Sequence, residues 1–298
     1  MSKQVIAIVG PKGGIGKSTI SANLSIALSG IGKKVTAVDL DLGGANLHIL
    51  MGVRNYTNSL DDFILKKVKS LEEILIETGT EGLRLICGGS NIPDIANMPF
   101  QQKRKLINHL LKLESDIVLL DLAAGSSFNV VDFLMIADQR LLVTSPEMTS
   151  LLKVYTFIKT CVFRMLTFHF KETEAHEILE ILESAHDPAA NPHLNTMDNI
   201  LFEVEKINPA SAATARDVLA LFKPNIVINM VQSEGDLKVG AVVQSMLRQY
   251  LGIHISIATS LPLDPMVRKA ARQNRPVILV SPDSDFSRAV RKLAEQCE

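Results

Sequence analysis

Residues 4–19 read QVIAIVGPKGGIGKST, and no other stretch of the 298-residue chain narrows its fold as much. A β-branched apolar run ends on glycine, a loop with three more glycines follows, and Lys-Ser-Thr opens the helical-looking segment STISANLSIAL. A strand that turns through glycines directly into a helix is the start of a strand–helix–strand unit. The next parallel strand is then reached by a crossover. The loop follows the spacing G-x-x-x-x-G-K-[ST], which curls backbone N–H groups around an anion and aims a helix N-terminus at it. The expected cradle is Gly13, Gly14, Ile15, Gly16, Lys17, Ser18 and Thr19. Lys17 would reach the β- and γ-phosphates of a nucleotide, and the Ser18 hydroxyl would sit on Mg²⁺. The pattern's first glycine is replaced by Pro11, which has no N–H, so one donor is lost there. Gly10 beside it can supply the flexibility. A glycine-rich turn without a ligand is the alternative, and it gives no reason for Lys17 and Ser18 to follow Gly16.

The rest of the chain keeps the same rhythm. Apolar runs at 4–10, 34–40, 83–89, 116–122, 140–146, 225–231 and 253–259 read as strands. Most are apolar on both faces, as in a parallel sheet covered on each side. Helical periodicity appears in Ser18–Ser29, Phe100–Leu113, Lys238–Leu251 and Pro265–Gln273. The fold class expected is α/β, a doubly wound, mostly parallel sheet in one domain spanning 1–298. One region breaks the alternation. From 153 to 222 no strand is recognisable, and three or four helices fill what is expected to be a helical insertion. Its first part, with Leu151, Leu152, Val154, Tyr155, Ile158, Val162 and Met165, is expected to pack on the sheet. Its second part sets Glu172, Glu174, Glu177, Glu180, Glu183 and Asp187 beside Ile178, Leu179, Ile181 and Leu182. There one stripe would dock on the body, leaving an acidic face for a basic partner or for solvent.

Composition removes several function classes. A formal net charge of −1 gives no global attraction to nucleic acid or anionic lipid. Cys87, Cys161 and Cys297 are scattered and odd in number, so neither a disulfide framework nor paired metal-ligand spacing follows. The first residues lack the pattern of a signal peptide, and no apolar run is long enough for a membrane span. A cytoplasmic protein is the expectation, with peripheral attachment to the inner face of the cell membrane as a further option. For such attachment the C-terminal DFSRAVRKLAEQCE offers a stripe of Phe286, Ala289, Val290, Leu293 and Ala294. That stripe is small and Ala-rich, which favours packing on the chain's own sheet.

The second lysine of the loop needs its own reason. KGGIGKST resembles the deviant P-loop of the MinD/ParA group of ATPases, in which an extra lysine opens the motif. The resemblance implies that Lys12 reaches across a dimer to the partner's nucleotide, where a second cation offsets charge developing on phosphoryl transfer. VDLDLGGANLH is similar to the family's first switch, which implies that Asp39 holds Mg²⁺ through water and Asp41 orients the attacking water. It also implies that Asn46 lies near the dimer face. Residues i and i+2 of a strand point the same way, so both aspartates can face the phosphates. IVLLDLAAG looks like the second metal-side strand and switch, with Asp121 in the Mg²⁺ shell and Gly125 sensing the γ-phosphate. VINM and SLPLDP resemble the base-binding elements and imply that Asn229 and Pro262 flank adenine. SPE, ending at Glu147, matches a stretch near the ribose. Within the group, DLDLGGANLH and INMVQ look closest to the FlhG-like branch, which is linked to flagellar number and placement.

Taken together, the resemblance implies an ATPase that cycles between a monomer and an ATP-bound homodimer. Lys12, Lys17 and Asp41 would act in slow hydrolysis, and an unidentified protein partner would respond to the dimer. A membrane surface and DNA are the further partners it allows. Two alternatives stay open: a ParA-like dimer that binds DNA nonspecifically, and an adaptor that binds ATP without turning it over.

Overall fold

The computed structural model describes residues 3–89 and 98–297. Eight strands form one sheet: β1 (Gln4–Gly10), β2 (Val35–Leu40), β3 (Ile76–Glu77), β4 (Leu83–Ile86), β5 (Ile117–Ala124), β6 (Gln139–Thr144), β7 (Asn225–Val231) and β8 (Ser256–Pro262). They lie side by side in the order β3-β4-β2-β5-β1-β6-β7-β8. All pair in parallel except the two-residue β3, which runs antiparallel on β4. β1 shows why the central strands read as unbroken apolar runs: Val5, Ala7 and Val9 enter one core and Ile6 and Ile8 the other. Both faces are covered, so there is no polar side to alternate with.

Helices α1 (Lys17–Gly30), α2 (Leu47–Leu50), α11 (Pro265–Arg272), α12 (Val277–Val280) and α13 (Asp285–Gln296) contribute to one layer. In it Ile20, Leu24 and Leu28 of α1 meet Phe286, Val290 and Leu293 of α13. The C-terminal stripe is therefore spent inside the molecule, packed on α1 and β8. The other layer holds α3 (Leu60–Ile64), α4 (Phe100–Leu110), α5 (Phe128–Met135), α6 (Met148–Glu172), α7 (His176–Ser184), α8 (Met197–Ile207), α9 (Pro209–Leu221) and α10 (Glu234–Leu251). The three cysteines are free and buried. Among the described residues no helix is long and apolar enough to cross a membrane.

Several boundaries shift by a few residues from expectation, and two of the shifts have a clear local cause. α10 begins at Glu234 rather than Lys238, because Ser233 and Asp236 close a capping box that fixes the start one turn earlier. The last strand covers 256–262 rather than 253–259. Ile253 and Ile255 are buried core residues of the connection that precedes β8, so the apolar pattern begins before strand pairing does.

Between β6 and β7 the chain runs through α6, α7, α8 and α9 without a strand. Each joint carries a local signal. The Thr196 hydroxyl accepts from the Asn199 N–H to start α8. Asn208 accepts from the Ala210 and Ser211 N–H groups, and Pro209 takes the first turn of α9. Leu151, Val154, Ile158 and Val162 of α6 are buried as their spacing suggests, whereas Leu152 points outward and is 63% exposed. α7 buries Ile178 and Leu182 and leaves Glu177, Glu180 and Glu183 in solvent.

Candidate functional site

The glycine loop joins the C-terminal end of β1 to α1, and its shape depends on two left-handed residues, Gly14 (φ 76°) and Gly16 (φ 89°). Both conformations are strained for residues with a Cβ. At Gly16 the restriction is double, because a Cβ would lie 2.4 Å from the amide nitrogen of Asn229. Gly13 and Gly14 face open space, while Ile15 is buried and pins the loop to the core. Lys17 folds inward and is 7% exposed. Burial holds its ammonium below the ordinary lysine range, and Asp121 and Asp41 pull in the opposite direction. Ser18 and Thr19, half-buried, occupy the first turn of α1.

Two carboxylates face this loop from neighbouring strands. Asp39 on β2 and Asp121 on β5 are register partners, and Ile8 of β1 is level with Asp121. Asp39 is fully buried and accepts hydrogen bonds from the Asp41 N–H (3.1 Å) and the Leu47 N–H (3.0 Å). It thereby shapes the turn between β2 and α2. Burial, with the nearby Asp121 charge, lifts its carboxyl to about 8. Asp121 is 1% exposed and takes the Ser21 hydroxyl at 2.8 Å on one oxygen. Its Oδ2 is buried with no hydrogen-bond partner. Burial raises its carboxyl to about 6, offset in part by the Ser18 and Ser21 hydroxyls and the Lys17 ammonium. A buried carboxylate oxygen without a partner is costly. Beside hydroxyl and carboxylate oxygens it forms a hard donor set that suits a Mg²⁺-sized cation retaining several waters. The residues present fit that ion, with Ser18, Asp39 and Asp121 as the groups that would hold it.

Asp41 lies outside the strand that would have aimed it. β2 ends at Leu40, so Asp41 is not aimed by strand alternation. A turn closed by the Gly44 N–H on the Asp41 carbonyl (3.1 Å) directs it instead. From there its charge still acts on Lys17. Asn46 is exposed and its amide donates to the Gly44 carbonyl. The Gly125 N–H donates to the Gly10 carbonyl at 3.1 Å, tying the end of β5 to the start of the loop.

Lys12 is engaged within its own chain. Its Nζ lies 2.5 Å from Glu147 Oε2, and the glutamate stays below the usual carboxylate range chiefly through this hydrogen bond. The SPE stretch thus supplies a partner for the second lysine, a pairing that sequence reasoning did not make. It also missed Ser21, one turn after Lys17 on the buried side of α1. A serine repeating the sheet-facing position of a loop lysine is the signal that could have found it.

Asn229 and Pro262 end up differently placed from each other. Asn229, 5% exposed on β7, donates from Nδ2 to the Ile15 carbonyl at 2.8 Å, so its amide ties β7 to the loop. Pro262 ends β8, half-buried and level with Val231.

The chain is similar to known proteins by family model, by sequence and by fold. A family model described as an AAA domain, AAA_31, matches residues 3–168, more than half of the chain. The antiactivator FleN of Pseudomonas aeruginosa is 34% identical over 158 residues, covering 52% of this chain and 55% of FleN. The match therefore spans about half the length of that relative. Among solved structures, the septum site-determining protein MinD of Pyrococcus horikoshii OT3, complexed with Mg-ADP, superposes with a TM-score of 0.65 at 23% identity. That likeness covers 99% of this chain and 96% of the other. A ParA family ATPase from Chlorobium tepidum TLS gives 0.66 at 20% identity, over 100% and 99%. At these identities the structural likeness is one of fold.

Proposed function

Since the chain belongs to the AAA domain family AAA_31, as a MinD/ParA-type P-loop protein near the FlhG-like branch, we propose that it is a Mg·ATP-dependent switch. In this reading it dimerises with ATP, resets by slow hydrolysis to ADP and phosphate, and acts in the spatial placement of a cell structure. One observation carries the proposal: Lys17 and the carboxylates Asp39 and Asp121 are buried together at the mouth of a glycine loop, with Asp121 Oδ2 unpartnered.

The chain's own groups divide the work. N–H groups from Gly13 to Thr19 surround the phosphates, and Lys17 neutralises them from inside the loop. Mg²⁺, held by Ser18, Asp39 and Asp121, would supply positive charge against the phosphates. Asp39 and Asp121 offer carboxylates whose buried state is unfavourable without a cation, so they favour the loaded site. Asp41, at the edge of the turn, orients a water toward the γ-phosphorus. Lys12 leaves Glu147 and meets the nucleotide of a second copy, where two phosphate chains are removed from solvent and extra positive charge has its greatest effect.

Size-exclusion chromatography with light scattering, run with no nucleotide, Mg·ADP and Mg·ATP, tests the switch. A dimer confined to Mg·ATP is expected. A monomer in all three, with nucleotide bound, would remove dimerisation from the reading.

A further inference from the structure

On the α4–α6 side of the sheet, side chains of two helices line one groove. Phe100, Lys103, Arg104 and Ile107 follow the i, i+3, i+4, i+7 spacing along α4. Arg164, Met165, Phe168 and Glu172 run along α6 opposite them. The space between has a volume of about 440 Å³. At 1.5 Å per residue each stripe is about 10 Å long, or two helical turns. Phe100 and Phe168 are 61% and 52% exposed, so aromatic surface faces solvent from both walls.

The charge in this groove is unbalanced. Asp132 of α5 receives both Lys103 Nζ (2.5 Å) and the Arg164 guanidinium (2.6 and 2.8 Å). One carboxylate thus serves two cations, and Lys103 is buried while doing so. With Arg104 and Glu172 the lining holds three full cations against two carboxylates, before His169 is considered. An apolar groove with excess positive charge is complementary to a surface that is apolar along one line and acidic beside it. The chain already contains such an object on the same helix. α7 docks against α6 through Ile178 and Leu182 and keeps its glutamates outward.

We propose that the α4–α6 groove docks an acidic amphipathic helix of a partner protein, two to three turns long, with apolar residues at i, i+3 or i+4, and i+7. Its anchors would sit against Phe100, Met165 and Phe168, in the manner of helix-in-groove recognition, and its acidic flank would face Arg104 and Arg164. The groove lining contains no residue of the glycine loop, and docking there requires no nucleotide.

The test uses two fluorescein-labelled 16-residue peptides with the same leucine face, one flanked by glutamates and the other by lysines, titrated into the full chain. Fluorescence anisotropy is expected to show at least tenfold tighter binding of the acidic peptide, weakening with added salt. Phe168→Glu should weaken it tenfold or more, and Arg104→Glu should remove the preference for the acidic peptide. Circular dichroism and thermal melting of both variants check that each is folded. Met165→Glu serves as a second blocking variant if Phe168→Glu is not. Equal binding of the two peptides, or binding unaffected by the blocking substitution, overturns the proposal. So does a concentration-dependent dimer of the free chain that Phe168→Glu abolishes, because the occupant is then a second copy.

Discussion

Asp121 is a residue placed against its own interest. Its charge lies in a fully buried site, with one oxygen bonded to Ser21 and the other unpartnered. Because burial raises its folded carboxyl to about 6, the stability it contributes is present below the ordinary carboxylate range and lost as pH rises through about 6. Asp121→Asn keeps an acceptor for Ser21 and removes the charge. At pH 7 without ligand it should stabilise the chain by roughly 1–3 kcal/mol, or about 2–4 °C in melting temperature per kcal/mol. That gain should shrink between pH 6 and pH 4, and the same variant should lose the Mg²⁺ dependence of nucleotide binding. Calorimetric melts across pH and titrations with and without Mg²⁺ check both halves. The two lysines should separate as well. Lys17→Ala should abolish ADP binding in calorimetric titration, because the buried cation is lost. Lys12→Ala should leave ADP binding nearly intact and eliminate ATP-dependent dimerisation. Equal loss of ADP binding in both would refute the division. Lys17 could be picked out in the sequence because the loop spacing places it, and Asp39 and Asp121 because their stretches resemble the family's switch strands. The Lys12–Glu147 pair could not, since the two are joined only by a fold that brings residues 135 apart in sequence together.

At the scale of elements, the strands and the loop-bearing helix were the most legible parts, because apolar runs and glycine spacing have few other uses. The α6–α9 run was legible as helical and opaque in its packing. α8 shows why: Met197, Ile200, Leu201 and Val204 form one buried stripe, but what they touch depends on α9 and α10 arriving from later in the chain. These residues belong to the same core as β1 and β5. Leu201→Ala should therefore cost about 2–5 kcal/mol, as for a cavity in a shared core. The nucleotide affinity of the folded protein should not change. Urea unfolding followed by far-UV dichroism gives the first number, and a titration at low denaturant the second. A loss under 1 kcal/mol would mean that this layer of helices is only loosely coupled to the sheet.

Across the whole molecule, the doubly wound class was readable from alternation, whereas the strand order was not. Parallel strands with buried faces are chemically alike, and nothing local states that β1 lies between β5 and β6. The pairing of α1 with α13 is the same kind of long-range fact. Its consequence appears during synthesis. Ile20, Leu24 and Leu28 gain their cover from Phe286, Val290 and Leu293, which leave the ribosome long after them. At 5–20 residues per second the first helix waits on the order of 15–50 s for its lid. Through that interval the nascent chain carries a bare apolar stripe beside the very loop meant to hold a charged ligand. A chain stopped after Ser284 should keep that stripe permanently, and should partition into the pellet or onto a holding chaperone in a sedimentation assay of translation products. Completion of α13, more than any event at the loop, should then release the nascent chain from the quality-control machinery.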